Sequence, residues 1–427
     1  MPLEDHPLRY ALTNELHARP FPSLVAPGQA VYLAIKEPSQ AAKRDRGRDR
    51  DHLIALLDRF GAPHPKPDAT HYFGDLGKFR LKWEQHTEFV TYTAFIDNGL
   101  SRPYDPTAWE VFPEDWLAEA PGKRITSAHI IYQEIPQDEA EVEGRMHDWF
   151  VPESLAVSRV LDDCAVIGGD FRIDVAGHLR FAVFARPGTG RRRLGRIVQR
   201  ICEIETYKTM SMLGLPKARE LSGKLGGIDE RLSHLVTDMT GELARPDETL
   251  TELLTIASEL EKLQTETTFR FGATGAYEAI VDQRVGVLRE ERFRGRQTFA
   301  EFMMRRFDPA MRTIKATEAR LETMTTRAIR AGDLLRTRVD VDRSAQNQEL
   351  LASMDRRSDM QLRLQKTVEG LSVVAISYYA VSLLVYLIGP LAAPLDLSEA
   401  VLKALTVIPT VALVWLVVRS IRRSVEK

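Results

Sequence analysis

Two apolar stretches stand in tandem near the C-terminal end of the chain, and they limit what it can fold into. Residues 370–395 hold no charged side chain, and neither do residues 404–418. A bilayer core about 30 Å thick is crossed by about 20 apolar helical residues. Residues 371–389 meet that length alone, and residues 400–418 meet it with Lys403 snorkelling to the interface. The expected outcome is a two-helix transmembrane hairpin. The competing reading is a buried helical hairpin in the core of a soluble protein.

Flanking charge gives an orientation. Arg356, Arg357, Arg363 and Lys366 precede the first stretch, and Arg419, Arg422, Arg423 and Lys427 follow the second. The connection carries Asp396 and Glu399. Basic residues favour the cytoplasmic side, so both chain ends are expected inside and the turn outside. The start of the chain, MPLEDHPLRYALTNELHARP, has no apolar core and does not read as a signal peptide. Cys164 and Cys202 are the only cysteines, which fits a reducing compartment rather than a disulfide framework. A formal net charge of -2 offers nothing to nucleic acid. The expected location is a cell (inner) membrane, multi-pass, with both termini cytoplasmic.

Three zones follow from the patterning. Residues 1–187 mix strands and helices, residues 188–370 are almost wholly helical, and residues 371–427 hold the hairpin and a basic tail. All ten histidines lie at or before His234, which supports a break in composition. In the first zone, Phe79, Leu81 and Trp83 alternate with Arg80, Lys82 and Glu84, the period of a half-buried strand. Residues 88–96 are expected to pair with it across a turn near Thr87. Further strands are expected at 30–35, 125–133, 157–160, 165–168, 171–175 and 179–184, with helices at 51–60, 114–118 and 139–150. Clustered strands with few helices predict an α+β cytosolic head, its helices packed on a mainly antiparallel sheet. In the second zone Leu194, Ile197, Val198, Ile201 and Ile204 share one helical face, and Pro216 should kink or end that helix. Residues 249–288 read as a second long helix. From 310 onward one helix is expected, with a break near Val339-Asp340-Val341 where β-branched residues lower helix propensity. Ile314, Leu321, Ala328 and Leu335 repeat every seven residues. Asn347, Leu350, Met354, Arg357, Gln361, Leu364, Val368 and Leu371 then alternate spacings of three and four. This is coiled-coil spacing, satisfied either between chains or against the 249–288 helix.

The segments HPLRYALTNELHARPF (6–21) and SMDRRSDMQLRLQKTVEGLSVVAISYY (353–379) resemble a bacterial family of predicted membrane-anchored proteins. That family is catalogued as domain of unknown function three-four-two-two, and the likeness covers essentially the whole chain. It implies no reaction. The layout is also similar to CorA-type magnesium transporters, with a cytosolic α+β domain, a long helix and two terminal spans. That resemblance implies a pentamer with the first span lining a pore. Those transporters carry Gly-Met-Asn after the first span, where this chain has Tyr386-Leu387-Ile388-Gly389-Pro390-Leu391.

Several candidate sites stand beside plainer readings. Tyr378, Ser382 and Tyr386 share a face of the first span and line a pore if one exists. Helix packing and interfacial tyrosines explain them equally. Asp396 and Glu399 form an acidic outer mouth in an oligomer, or are loop charges. Arg186, Arg191, Arg192, Arg193 and Arg196 crowd a helix start, where cations oppose the dipole and invite an anion. A solvated or acid-paired face is the alternative. His6, Arg9, Asn14, Glu15, His17 and Arg19 converge on a ligand, or belong to a docking helix with apolar residues Leu8, Ala11, Leu12 and Leu16. Trp83, Glu84, His86 and Glu88 flank a hairpin turn and match no standard metal spacing. No catalytic motif is present, no cofactor is called for, and Cys164 and Cys202 read as small core residues. The leading expectation is a non-enzymatic, membrane-anchored binding or scaffolding protein whose partners are the bilayer and an unidentified protein. The second is a CorA-like homo-oligomeric ion channel or transporter without the usual filter.

Overall fold

The computed structural model describes residues 3–10, 12–13, 21–39, 41–97, 102–239, 246–392 and 398–425. Met1–Ala244 with Thr251–Ala331 form one compact unit, and Arg245–Leu250 with Gly332–Lys427 a second. The strands are β1 (Gly28–Lys36), β2 (His71–Asp75), β3 (Arg80–Gln85), β4 (Phe89–Asp97), β5 (Lys123–Glu134), β6 (Ala156–Val160), β7 (Ala165–Ile173), β8 (Leu179–Ala185) and β9 (Glu291–Arg292). The helices are α1 (Arg46–Arg59), α2 (Glu114–Ala118), α3 (Glu139–Trp149), α4 (Arg191–Met212), α5 (Gly214–Asp238), α6 (Pro246–Gly286), α7 (Phe299–Arg306), α8 (Asp308–Ala392) and α9 (Glu399–Val425).

All described strands join one sheet in the order β2-β3-β4-β1-β5-β8-β7-β6-β9. Every neighbouring pair is antiparallel except β5 with β8. The expected strands at 165–168 and 171–175 are a single strand, β7, whose register shifts between Gly169 and Ile173. Side chains alternate between faces along a strand. Val31, Leu33, Leu81, Trp83, Tyr92 and Ala94 therefore point to one face, where Leu53, Leu56 and Leu57 of α1 and Trp116 of α2 complete a core. At the other end of the sheet, Val142 and Met146 of α3 cover Val157, Val166, Ala182 and Phe184.

The opposite face receives α4. Its expected stripe of Leu194, Ile197, Val198, Ile201 and Ile204 is buried. Gly195 is required here, because a Cβ would lie 1.7 Å from the carbonyl oxygen of Pro22. The composition break at 187/188 marks the change from strands to helices, while the compact unit continues past it to include α4, α5 and the first part of α8. The helix ends at Met212, and Pro216 falls in the first turn of α5, where a missing N–H costs no helical bond. Ile314, Leu321 and Ala328 of α8 are buried within this unit. Lys315 pairs with Glu278 of α6, and Arg320 and Arg327 both reach Asp229 of α5. The first seam thus packs inside the chain. The break expected near Val339 does not occur, since α8 is continuous. Two β-branched residues cost only tenths of a kcal/mol each, which flanking helix formers outweigh.

Buried histidines tie the strands together. His52 of α1 lies between the Tyr92 hydroxyl (Nδ1, 2.9 Å) and the Trp116 carbonyl (Nε2, 3.0 Å). A carbonyl only accepts, so Nε2 carries the proton and Nδ1 takes the tyrosine hydrogen. His129 of β5 meets Gln29 Oε1 at 2.8 Å in the same donor role. Burial lowers both imidazoles from 6.5 to about 4. The folded chain therefore binds fewer protons than the unfolded one, and stability present above 6.5 falls as pH drops toward 4. Each imidazole is expected to cost roughly 2 kcal/mol between about pH 7 and about pH 5. Urea midpoints at the two pH values check this, and an unchanged midpoint would refute it.

In the second unit, α8 beyond Gly332 and α9 contain the two described helices long and apolar enough to cross a membrane. Ser377, Val385 and Thr410 are buried there. Val373, Ser377 and Val381 of α8 share a cavity of about 260 Å³ with Val407 and Val411 of α9. Asp396 lies outside the described residues. Glu399 opens α9, and its side chain is likewise outside them.

Candidate functional site

The sheet face turned toward α4 is polar where apolar residues would pack more simply. Lys82 and Glu84 alternate with Leu81 and Trp83 in β3, so the register that buries the aromatic side delivers both charges to the other side. Thr91 and Thr93 of β4 and Tyr32 of β1 join them by the same alternation. On α4, Gln199, Glu203 and Tyr207 recur every four residues and face the strands beside Cys202 and Thr206. Arg284 of α6 closes one side, with Phe21, Phe89 and Phe95 as apolar wall. The cavity, partly open to solvent, measures about 190 Å³.

Its charges are held in pairs. Lys82 is only 4% exposed. Its ammonium donates to Gln199 Oε1 at 2.8 Å and lies 3.1 Å from Glu84 Oε2. Gln199 Nε2 donates to Glu203 Oε1 at 2.7 Å, and Arg284 Nε donates to the other oxygen of Glu203. The Tyr32 and Thr206 hydroxyls are bonded to each other, and Thr206 also donates to the Cys202 carbonyl at 2.8 Å. Burial, with Glu203 nearby, pushes the Cys202 thiol up, and burial with Cys202 nearby does the same to the Tyr32 phenol. Burial thus favours the neutral form of both groups.

A second charged cluster borders the pocket at the β3–β4 turn. Glu88 is 1% exposed and is clasped by both terminal guanidinium nitrogens of Arg270 of α6. Tyr277 donates to it at 3.1 Å, and Lys36 Nζ stands 4.0 Å away. The Phe89 ring stacks on His86, and Tyr207 on Tyr277. Glu84 and His86 thus face the cavity while Glu88 is taken by Arg270. Among the described residues, no group of three metal-ligating side chains forms.

The residues singled out by sequence scatter. Arg186 is engaged by Glu139 at 2.7 Å and Asp163 at 2.8 Å, and these carboxylates raise its guanidinium above the ordinary value. Arg193 reaches Cys164 Sγ at 2.9 Å, Arg191 and Arg192 are exposed, and Arg196 is half-buried. Of the N-terminal set, His6 accepts from Leu8 N at 3.2 Å and Arg9 pairs with Asp5, both on the surface. Asn14, Glu15, His17 and Arg19 lie outside the described residues. Tyr378 and Tyr386 are 71% and 83% exposed. Ser382 between them donates to the Tyr378 carbonyl at 3.0 Å. Of the pocket, the sequence reading singles out only Glu84 and His86, and the Gln199-Glu203-Tyr207 spacing beside an apolar stripe is a further trace.

The described residues thus combine an α+β unit that holds a charged pocket with two helices long and apolar enough to cross a membrane. The chain belongs to the family described as protein of unknown function (DUF3422), which matches residues 4–425. No curated protein matches the chain.

Proposed function

We propose that the chain is a membrane-anchored binding protein. The α+β unit lies in the cytosol and receives a ligand or partner, and α8 and α9 form a hairpin across the bacterial inner membrane. One observation carries the anchoring. Only 11% of each apolar window is buried, whereas a core helix of a soluble protein is mostly buried. Leu383, Leu387, Ile408 and Leu413 are exposed, and each gains about 1.5–3 kcal/mol on leaving water. Trp415, with Arg419 over its ring at 4.8 Å, has the composition of an interfacial anchor next to the basic tail. The protonated state of Cys202 and Tyr32 supports binding over nucleophilic chemistry. The test is a reporter fused after Lys427. Cytoplasmic signal is expected, and a periplasmic signal overturns the topology.

A homo-oligomeric channel is the second reading, favoured by the exposed face of Tyr378 and Tyr386, which is open to another copy. It requires a ring whose first spans surround an axis. Under the leading reading, the mass of detergent-purified full-length protein is expected to be that of a monomer or dimer. A pentamer would shift the assignment to the channel.

A further inference from the structure

We infer that the pocket between β3, β4 and α4 binds a small zwitterion of the amino-acid class, one that carries an ammonium and a carboxylate on a short frame. This deepens the binding reading above and rests on it. Size sets the first limit. A cavity of about 190 Å³ has room for several water-sized groups. That suits an amino acid with a short side chain.

Charge sets the second limit. The walls offer Lys82 and Arg284 against Glu84 and Glu203, one cation for each carboxylate. A lone anion such as phosphate would meet two carboxylates and gain little. An apolar ligand would strip water from charged walls without replacing its hydrogen bonds. A zwitterion adds a partner of each sign. An ammonium group has three donors, and Lys82 uses two, on Gln199 and Glu84. The third is available to a ligand carboxylate. Glu84 and Glu203 retain acceptor positions for a ligand ammonium, since each ionised carboxylate has about four lone-pair sites. Phe89 and Tyr32 add aromatic lining to the same cavity. Phe21 and Phe95 offer apolar contact to a short side chain.

The experiment uses the full-length chain in detergent micelles, titrated calorimetrically with L-alanine, L-serine and L-threonine. L-alaninamide, L-lactate and inorganic phosphate serve as controls that carry charge of one sign only. At least one amino acid is expected to bind, with every control at least about tenfold weaker. Lys82→Met should abolish binding. Because a buried lysine also supports the fold, Arg284→Gln, at a more exposed position, is measured alongside and should weaken binding by about tenfold. Absence of binding by all three amino acids to folded protein overturns the inference. So does phosphate or lactate binding as tightly as the zwitterion, or unchanged affinity in Arg284→Gln. The Lys427 reporter reads the anchored topology independently. An empty pocket with a cytoplasmic C-terminus removes the ligand class alone. Zwitterion binding with a periplasmic signal removes the cytosolic placement and leaves the pocket.

Discussion

Replacing Trp116 by alanine is expected to cost about 3–5 kcal/mol. The indole is fully buried at the centre of the core under β1, β3 and β4. It stacks on His52 with centroids 3.9 Å apart and meets Tyr92 edge-on at 5.1 Å. Its Nε1 donates to the His52 carbonyl at 2.8 Å. The substitution thus removes a large apolar body and the indole hydrogen bond, which the His52 carbonyl accepts in addition to its helical one, two losses that add. Phenylalanine at the same position keeps most of the stacking and forfeits the bond, so about 1–3 kcal/mol is expected for it. Urea unfolding followed by circular dichroism distinguishes the two. A smaller loss for alanine than for phenylalanine would show that the packing account is wrong.

The sheet was legible where alternation was local. In β3, Leu81 and Trp83 against Lys82 and Glu84 reveal the strand and its two faces together, and β4 follows across a short turn. β2 was not, because Gly74 weakens a short run and Phe73 points outward. The pocket was illegible for a different reason. Lys82, Glu203 and Arg284 are far apart in the chain, and only strand register and helix docking bring them together. The arginine run shows the same limit from the other side. Its density signalled an anion, but the anions facing Arg186 are Glu139 and Asp163, supplied by a distant helix start and a turn. The two long apolar helices of the tail were legible because apolar length is a property of contiguous sequence, which fold topology does not rearrange.

Arg270→Leu is expected to destabilise the head by about 3–5 kcal/mol, the range for removing one partner of a buried ion pair. Glu88 would remain in place, almost fully buried, with Tyr277 at 3.1 Å and Lys36 at 4.0 Å as its remaining partners. Burial and the neighbouring Arg270 both lower the Lys36 ammonium from its ordinary value. Losing Arg270 therefore lets Lys36 hold its proton more firmly and moves the expected cost toward the lower end of that range. Glu88→Gln combined with Arg270→Leu removes both charges. The double variant should be less destabilised than the sum of the two single changes by about 1–3 kcal/mol, the coupling of residues in direct contact. Strict additivity would mean the pair contributes no specific interaction. The cluster also bears on the pocket, because Arg270, Tyr277 and Arg284 all belong to α6 and the Glu88 turn borders the cavity wall. Weakening the clasp should therefore loosen the helix that presents Arg284 to Glu203. Ligand affinity in Arg270→Leu is expected to fall together with stability, although Arg270 does not line the cavity.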